Sequence, residues 1–377
     1  MVKNNYSDKT LDHDCNLGLE PFKERFPWLG GDLQTLRDTF IKDKLPKQNT
    51  EIISTPISKF PYSNDLSGKL ISLLDKPQEE RLTQGLVILI HGLGGSSERN
   101  GLRRMASELT SSGYIVIRLN LRGGGPGRDF SGGTYCAKCT KDIFPIVRRA
   151  KEICKSIEVT TRKGLSRKIP LFGVGISLGG TILLNSYIEK NNDQDFIFDG
   201  LACTSSPLDL SASSYSIERF RNGLYQKWLL NRLIKQTLND PFNNDSNDYE
   251  QIKEQIGKGA IKTIRQFDKI ITSPRWGYKD VESYYYNASP INSLLKGGIS
   301  IPPTLFLHSL DDPWVPANAT EKLQENINLF KDSKVIITSK GGHNGFHSKK
   351  GCWGDKVVKK WLLNLTKKLN DSEDGSI

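Results

Sequence analysis

Long apolar runs are absent from this sequence of 377 residues. No stretch approaches the roughly 18 apolar residues that a membrane-spanning helix needs. The opening residues Met1 to Asn5 are largely polar, and no apolar core of a secretory signal follows them. Hydrophobic residues still make up 36% of the chain, which is enough for a large buried core. We therefore expect a soluble, cytoplasmic globular protein.

Dense cysteine patterns and cofactor motifs are also missing. The six cysteines, at positions 15, 136, 139, 154, 203 and 352, are scattered, which predicts free thiols in a reducing compartment. The single Cys-x-x-Cys, formed by Cys136 and Cys139, has no second pair at zinc-binding spacing. The glycine-rich stretch 123–127 lacks the Gly-Lys-Ser/Thr ending of a phosphate-binding loop. We expect no metal and no cofactor.

Basic residues outnumber acidic ones, but they form no separate segment. The net charge is +11, and the lysines and arginines are spread along the whole chain among Asp and Glu. The densest basic stretch in the middle of the chain, 162–168, is predicted as a solvated loop, and no nucleic-acid motif accompanies it. We expect a monomer that binds no nucleic acid. Peripheral contact with an anionic membrane stays open.

Hydrophobic patterns predict an α/β fold. The continuous apolar run at 85–90 is typical of a central strand that is buried on both faces of a sheet. Strands alternate with helices along most of the chain, which predicts a mostly parallel sheet flanked by helices. Eight strands are predicted, at 51–55, 69–74, 85–90, 114–119, 171–176, 200–205, 304–308 and 334–338, with helices at 100–111, 141–157, 181–187, 317–330 and 353–369.

The alternation stops between about 208 and 290, where apolar residues recur at helical spacing. Helices are predicted there at 218–238 and 249–267. We predict a helical cap at 209–292, inserted between two parts of the α/β core at 46–208 and 293–370. An aromatic-rich stretch at 21–40 predicts that the N-terminal segment, 1–45, packs on the body, and residues 371–377 are predicted as a frayed tail.

The most informative motif is Gly175-x-Ser177-x-Gly179. It lies between an apolar strand and a helix, which is the setting in which this pattern forms a nucleophile elbow. The turn pinches the backbone, so the residues two before and two after the serine must be small. Ser177 is then expected on a strained bend at the carboxyl edge of the sheet, where parallel sheets bind their ligands. We predict that Ser177 is a catalytic nucleophile.

A serine hydroxyl needs a base within hydrogen-bond reach. His343 follows the last predicted strand in a glycine-rich loop, and we predict it as the base, with His347 as the alternative. His308 lies inside a strand and is predicted as a hydrogen-bonded core residue. His91 is predicted to support its own loop, and His13 lies in an unpatterned segment.

An acid must orient the base, and backbone N–H groups must stabilise the oxyanion of the reaction. Asp312, in the loop after the seventh predicted strand, is the predicted acid, with Asp311 as the alternative. Leu178, at the start of the elbow helix, is predicted to supply one N–H donor. Leu93, in the loop after the third strand, is predicted to supply the other.

Together these motifs resemble those of the α/β-hydrolase superfamily, and more narrowly its YheT-like branch, whose eukaryotic members act on medium-chain esters and phospholipids. The matching segments extend over most of the chain, at 33–35, 91–95, 120–123, 175–180, 267–268, 277–285, 311–313 and 341–346. The chain departs from the branch at Asp32, where histidine is usual, and at 135–139, where Tyr-Cys-Ala-Lys-Cys replaces Tyr-His-Ser/Ala-Gly. The resemblance implies ester hydrolysis and fixes no substrate.

These observations predict a serine hydrolase that cleaves carboxylic esters through an acyl-enzyme on Ser177. Its expected substrate is a small-molecule ester or lipid. The apolar cap, which carries tryptophan and tyrosine, indicates an acyl chain of short to medium length. Two other functions stay open. One is acyl transfer to an alcohol by the same triad, and the other is ligand binding without catalysis on the same fold.

Overall fold

An eight-stranded sheet forms the centre of the fold. The structure is a computed structural model, and it describes residues 17–58, 68–78, 83–160, 166–190, 198–242 and 248–374. The strands are β1 (Asn49–Ile57), β2 (Gly68–Lys76), β3 (Gly85–Ile90), β4 (Tyr114–Leu119), β5 (Glu158–Thr160), β6 (Ser166–Lys168), β7 (Leu171–Ile176), β8 (Gly200–Thr204), β9 (Thr304–Ser309), β10 (Lys334–Thr338), β11 (His347–Ser348) and β12 (Gly351–Cys352).

The order across the main sheet is β1-β2-β4-β3-β7-β8-β9-β10. β2 is antiparallel to both of its neighbours, and the remaining pairs are parallel. This arrangement confirms the predicted eight-stranded, mostly parallel sheet. The short strands β5 and β6, and likewise β11 and β12, form two separate antiparallel pairs.

Helices cover this sheet. They are α1 (Gly30–Phe40), α2 (Asn100–Thr110), α3 (Thr140–Ser156), α4 (Leu178–Glu189), α5 (Leu210–Glu218), α6 (Gly223–Leu238), α7 (Tyr249–Gly257), α8 (Ile264–Phe267), α9 (Ser273–Arg275), α10 (Val281–Ala288), α11 (Pro290–Leu294), α12 (Asn318–Glu325) and α13 (Trp353–Asp374). Short 3₁₀ helices span Gly125–Phe130, Phe220–Asn222 and Ile327–Leu329, and a π-helical turn spans Asp268–Thr272. Among the helices in these described ranges, none has the length and apolar character to cross a membrane.

β3 illustrates how the apolar sequence builds the core. All six of its residues are buried. Leu86, Ile88 and Ile90 belong to the apolar cluster that includes residues of α3 and α4, whereas Val87 and Leu89 belong to the cluster on the other face, with residues of α2 and α13. Burying one side chain of this kind contributes about 1.5–3 kcal/mol. Two apolar layers therefore hold the sheet, and its carboxyl edge carries the loops.

Some helices differ from those predicted. The stretch predicted as one helix at 218–238 contains the end of α5, a 3₁₀ turn and α6. The helix predicted at 249–267 is interrupted between α7 and α8, because Gly259 adopts a φ of +67°, which a right-handed helix cannot contain. α13 continues past the predicted end at 369. α1 is a helix within the segment for which the sequence predicted only packing on the body.

Helices α5 to α11 are inserted between β8 and β9. Their apolar side chains form two small clusters, one around Leu230 and Phe267 and the other around Ile217 and Leu229. Leu93, from the loop after β3, packs against both clusters. The inserted helices therefore contact the carboxyl edge of the sheet. The division of the chain into domains, with a cap at 209–292, stays a prediction.

Candidate active site

Ser177 occupies a sharp turn between β7 and α4. Its φ of +55° and ψ of −125° lie in a region that residues with a side chain rarely adopt, so the turn is strained. Two backbone hydrogen bonds fix the turn: the Ser177 N–H donates to Thr204 O at 2.8 Å, and the Gly180 N–H donates to Ser177 O at 3.0 Å. The serine is thereby held at the end of β7, in the centre of the sheet.

The two glycines of the motif are required by close packing. A Cβ atom at Gly175 would overlap the backbone of Gly180, and one at Gly179 would overlap the carbonyl of Ile90. The first turn of α4 thus lies directly against β7 and the end of β3. This contact is the physical reason for the small residues on either side of Ser177.

Ser177, His343 and Asp312 form a hydrogen-bonded chain. His343 Nε2 lies 2.8 Å from Ser177 Oγ, and His343 Nδ1 lies 2.8 Å from Asp312 Oδ2. The other oxygen, Asp312 Oδ1, accepts from the N–H groups of Trp314 at 2.8 Å and Val315 at 2.9 Å. Burial acts to raise the pKa of Asp312, but His343 and the hydrogen bonds outweigh it, and the pKa lies below its usual value. The carboxyl group is therefore an ionised partner for the Nδ1–H of the imidazole.

The alternative residues lie in other contacts. Asp311 Oδ1 accepts from the Gly342 N–H at 2.9 Å. His347 Nε2 lies 3.3 Å from Asp38 Oδ1, and His308 Nε2 lies 3.0 Å from Val315 O. His343 and Asp312 therefore form the hydrogen-bonded chain to Ser177, and the alternatives His347 and Asp311 do not. His13 lies outside the described residues.

His91 supports the loop after β3. Its Nε2 accepts from the Leu121 N–H at 3.2 Å, so the proton is on Nδ1, which donates to Gly92 O at 2.8 Å. Complete burial lowers the pKa of His91 to about 4, which keeps the ring neutral. Tyr135 Oη accepts from the Gly94 N–H at 2.6 Å and braces the next turn of the same loop.

This loop brings backbone N–H groups close to the serine. A Cβ atom at Gly92 would lie 2.9 Å from Ser177 Cβ, so the backbone there lies directly against the serine side chain. Leu93 follows Gly92, and Leu178 begins α4, where the first N–H groups lack intrahelical acceptors. Neither the Leu93 nor the Leu178 N–H has a hydrogen-bond acceptor among the described residues. Both are available donors for a ligand.

A cavity of about 540 Å³ opens over Ser177 and His343. The loop after β3 and the helices α5, α6, α8 and α10 line it with mostly apolar residues, among them Leu210, Ile217, Leu229, Leu233 and Phe267. This apolar wall is suited to an acyl chain next to a reacting carbonyl. Charged residues, among them Arg99, Arg232 and Asp268, also line the cavity.

Several residues in and around the cavity had no predicted role. The Trp314 ring packs on the His343 ring, with centroids 4.5 Å apart and an interplanar angle of 31°. Asp268, in the π-helical turn, lines the cavity and accepts from Tyr285 Oη at 2.8 Å, and burial raises its pKa to about 6. Cys136 and Cys139 are buried, which raises the pKa of both thiols. Only the family resemblance had marked the segment that contains Asp268.

Known proteins resemble this chain over most of its length. A family model described as alpha/beta hydrolase fold matches residues 85–350. Phospholipase ABHD3 of Homo sapiens is 29% identical over 343 residues, which cover 87% of this chain and 75% of that protein. Medium-chain fatty acid ethyl ester synthase/esterase 2 of Saccharomyces cerevisiae is 27% identical, covering 74% of this chain and 62% of that protein. The Escherichia coli protein YheT is 27% identical, covering 69% of this chain and 70% of that protein.

We expect the protein to lose stability as the pH falls from 6.5 towards 4. The pKa of His91 is about 4 in the folded chain and 6.5 at its ordinary value, so the unfolded chain binds more protons in this interval. The free energy of unfolding should therefore decrease by up to about 1.4 kcal/mol per pH unit from this residue. Burial also lowers the pKa of His308 and His347, which act in the same direction.

Urea unfolding at pH 7, 6 and 5 would measure this dependence. The variant His91→Asn, which cannot titrate, should be less stable at pH 7 but should lose less stability on acidification. An equally steep loss in wild type and variant would contradict the assignment of this effect to His91.

Proposed function

Because the chain belongs to the α/β hydrolase fold family, we propose that it is a serine hydrolase that cleaves carboxylic esters through an acyl-enzyme on Ser177. The observation that carries the proposal is the pair of 2.8 Å contacts of His343, to Ser177 Oγ and to Asp312 Oδ2. The names of two relatives, a phospholipase and an ester synthase/esterase, support ester chemistry in this site.

Acylation begins when Ser177 Oγ attacks the ester carbonyl carbon and His343 Nε2 takes its proton. The two atoms are already at hydrogen-bond distance, so the proton moves without rearrangement. Asp312 holds the imidazole in the tautomer with Nδ1 protonated and stabilises the imidazolium that forms. The N–H groups of Leu93 and Leu178 donate to the oxyanion as the carbonyl becomes tetrahedral.

Deacylation repeats these steps with water. Collapse of the first tetrahedral intermediate breaks the bond to the leaving alcohol, whose oxygen takes the proton from His343. A water molecule then gives a proton to His343 and attacks the acyl carbon. Release of the carboxylic acid returns that proton to Ser177 Oγ. The steps consume one water and need no cofactor or metal ion.

A fluorophosphonate probe should label Ser177 in the wild-type protein. Ser177→Ala should lose the label and lose ester hydrolysis by a factor of about 10⁴ or more, because removal of a triad member removes the activated nucleophile. Mass spectrometry of the labelled peptide and a p-nitrophenyl ester assay would measure both. Ser112→Ala, at the end of α2, is the matched control and should behave as wild type. Equal labelling of wild type and Ser177→Ala would rule out the proposed mechanism and favour a binding protein.

The acyl group is proposed to be short or medium in length. This is supported by the apolar lining of the 540 Å³ cavity and by the medium-chain ester named for the yeast relative. In a series of p-nitrophenyl esters from acetate to palmitate, kcat/KM should pass through a maximum before the longest chains. Leu233→Phe narrows the cavity and should move the maximum to a shorter chain, whereas a rise up to palmitate would contradict the proposed length.

Acyl transfer to an alcohol is the second candidate. The yeast relative's name combines synthase and esterase, and in both reactions the same acyl-enzyme would form. The two differ only in whether water or an alcohol oxygen attacks the acyl carbon. The ratio of acid to ethyl ester formed in the presence of ethanol distinguishes them.

Peripheral contact with a membrane is proposed for the rim of the cavity. Exposed apolar side chains occur at the start of α1, on α6 and in the loop after β9, among them Leu29, Leu33, Leu224, Trp228 and Leu310. Trp228 also lines the cavity. Asp32 of α1 joins two of these elements, because it accepts from Arg221 at 2.6 Å and from Tyr225 Oη at 3.0 Å. An apolar rim on a chain of net charge +11 suits an anionic lipid surface.

Liposome sedimentation would test this contact. We expect the protein to bind vesicles that contain phosphatidylserine and to be released by salt. Leu224→Asp should weaken binding, because it places a negative charge on the rim. Leu329→Asp is the control. Leu329 is also exposed, but it precedes β10 and so lies near the amino ends of the parallel strands, whereas the cavity lies at their carboxyl ends. Binding that is independent of lipid charge, or equal loss in both variants, would contradict the proposed surface.

A further inference from the structure

We infer that Gln34 and Thr35 of α1 are positioning residues for the base, acting through the backbone of the loop 341–348. The inference rests on the proposed function of His343. α1 lies about 300 residues before this loop in the sequence, yet its polar side chains bind the loop at both ends. The described structure thus gives a role to the segment 33–35, which the sequence had marked only through a resemblance.

Thr35 binds the backbone of the base itself. Its Oγ1 accepts from the His343 N–H at 2.8 Å and donates to Gly31 O at 2.6 Å. The imidazole of His343 is fixed by Asp312 and Ser177, whereas its main chain is fixed by α1. Both ends of the residue must be held for Nε2 to stay in line with the serine.

Gln34 binds the other end of the loop. Its Oε1 accepts from the His347 N–H at 2.6 Å, and its Nε2 donates to His347 O at 3.1 Å and to Trp28 O at 2.6 Å. The amide therefore pairs with both backbone groups of His347, much as a neighbouring strand would. Gln34 is completely buried, so each of these bonds is shielded from water.

The loop needs this support because its own conformation is strained. Gly342, Asn344 and Phe346 have φ values of +59°, +56° and +47°. Two of them carry side chains, and such conformations persist only when the surroundings enforce them. A Cβ atom at Gly342 would lie 2.7 Å from Thr35 Oγ1, and one at Gly345 would lie 2.6 Å from Gln34 O. α1 is thus in direct contact with the strained segment.

The buried face of α1 is polar, which distinguishes its proposed positioning role from that of a helix that packs into the apolar core. Its buried residues are Gly31, Gln34 and Arg37, whereas Leu33 and Phe40 are exposed. A helix that stabilised the fold by apolar burial would show the reverse pattern. The C-terminal half of α1 is anchored by charge, since Asp38 binds both Arg104 of α2 at 2.7 Å and His347.

Removal of the Thr35 hydroxyl should slow the chemical step. In Thr35→Val the His343 N–H loses its acceptor, and the loop relaxes by moving the base away from Ser177. We expect kcat for ester hydrolysis and the rate of fluorophosphonate labelling to fall on the order of tenfold, with little change in KM. Thr35→Ser keeps the acceptor and should restore both rates.

Thr50→Val is the matched control. Thr50 lies on β1, at the edge of the sheet, and its hydroxyl donates to Asp75 at 2.6 Å, so the substitution also removes one hydrogen-bonded hydroxyl. All variants would be compared by melting temperature, kcat, KM and labelling rate. If Thr35→Val fails to fold, Thr35→Ala against Thr35→Ser gives the same comparison.

Two results would overturn the inference. The first is that Thr35→Val, or Thr35→Ala, hydrolyses esters and is labelled as fast as Thr35→Ser. The second is that Thr50→Val loses as much kcat and labelling rate as Thr35→Val when the two variants are equally stable. Failure of the proposed function is a separate outcome, because the wild-type protein itself would then not label at Ser177.

Discussion

The close approach of α4 to β7 and β3 is the constraint on which the site depends. No Cβ atom fits at Gly175 or Gly179, so the first turn of the helix lies against the backbone of both strands. α4 is buried by apolar residues such as Ile182 and Leu183, and their burial holds the helix in this position. The connection between strand and helix must then pass through Ser177 at positive φ. The core of the protein therefore sets the position of the hydroxyl and offsets the strain of the turn.

The loops that carry the proposed acid, Asp312, and the proposed base, His343, are stabilised in different ways. The Asp312 carboxylate is buried, and the N–H groups of Trp314 and Val315 offset the loss of water while they also fix the loop. His343 is the main cause of the lowered pKa of Asp312, and the bond from the Val315 N–H adds to it while holding the carboxylate in place. The loop of His343 contains left-handed residues and is supported from several elements. Asp311 accepts from the Gly342 N–H, Ser205 accepts from the Asn344 N–H, and α1 adds the bond from the His343 N–H to Thr35. Both loops must be held in place for His343 Nε2 to stay within hydrogen-bond distance of Ser177 Oγ.

Much of this architecture could be predicted from local signals. The bounds of β3, β4 and β10 agree with the predicted strands to the residue, because each is a short apolar run ended by polar or turn residues. The turn at Ser177 is likewise encoded within five residues. α1 escaped prediction as a helix because its buried face is polar and offers no apolar periodicity. Asp311 and Asp312 follow the same strand, and only hydrogen bonds formed across the fold distinguish them.

The proposed reaction can be predicted from local sequence signals, whereas the substrate depends on contacts between distant segments. The groups proposed for catalysis sit on turns that directly follow strands, so their chemistry can be predicted from short motifs. Much of the cavity wall comes from α5, α6, α8 and α10, and the apolar spacing of this region predicts helices but not where they break. Gly259 separates α7 from α8, and the π-helical turn after α8 carries Asp268, which lines the cavity. The proposed selectivity for an acyl chain therefore rests on helix packing, which no single segment encodes.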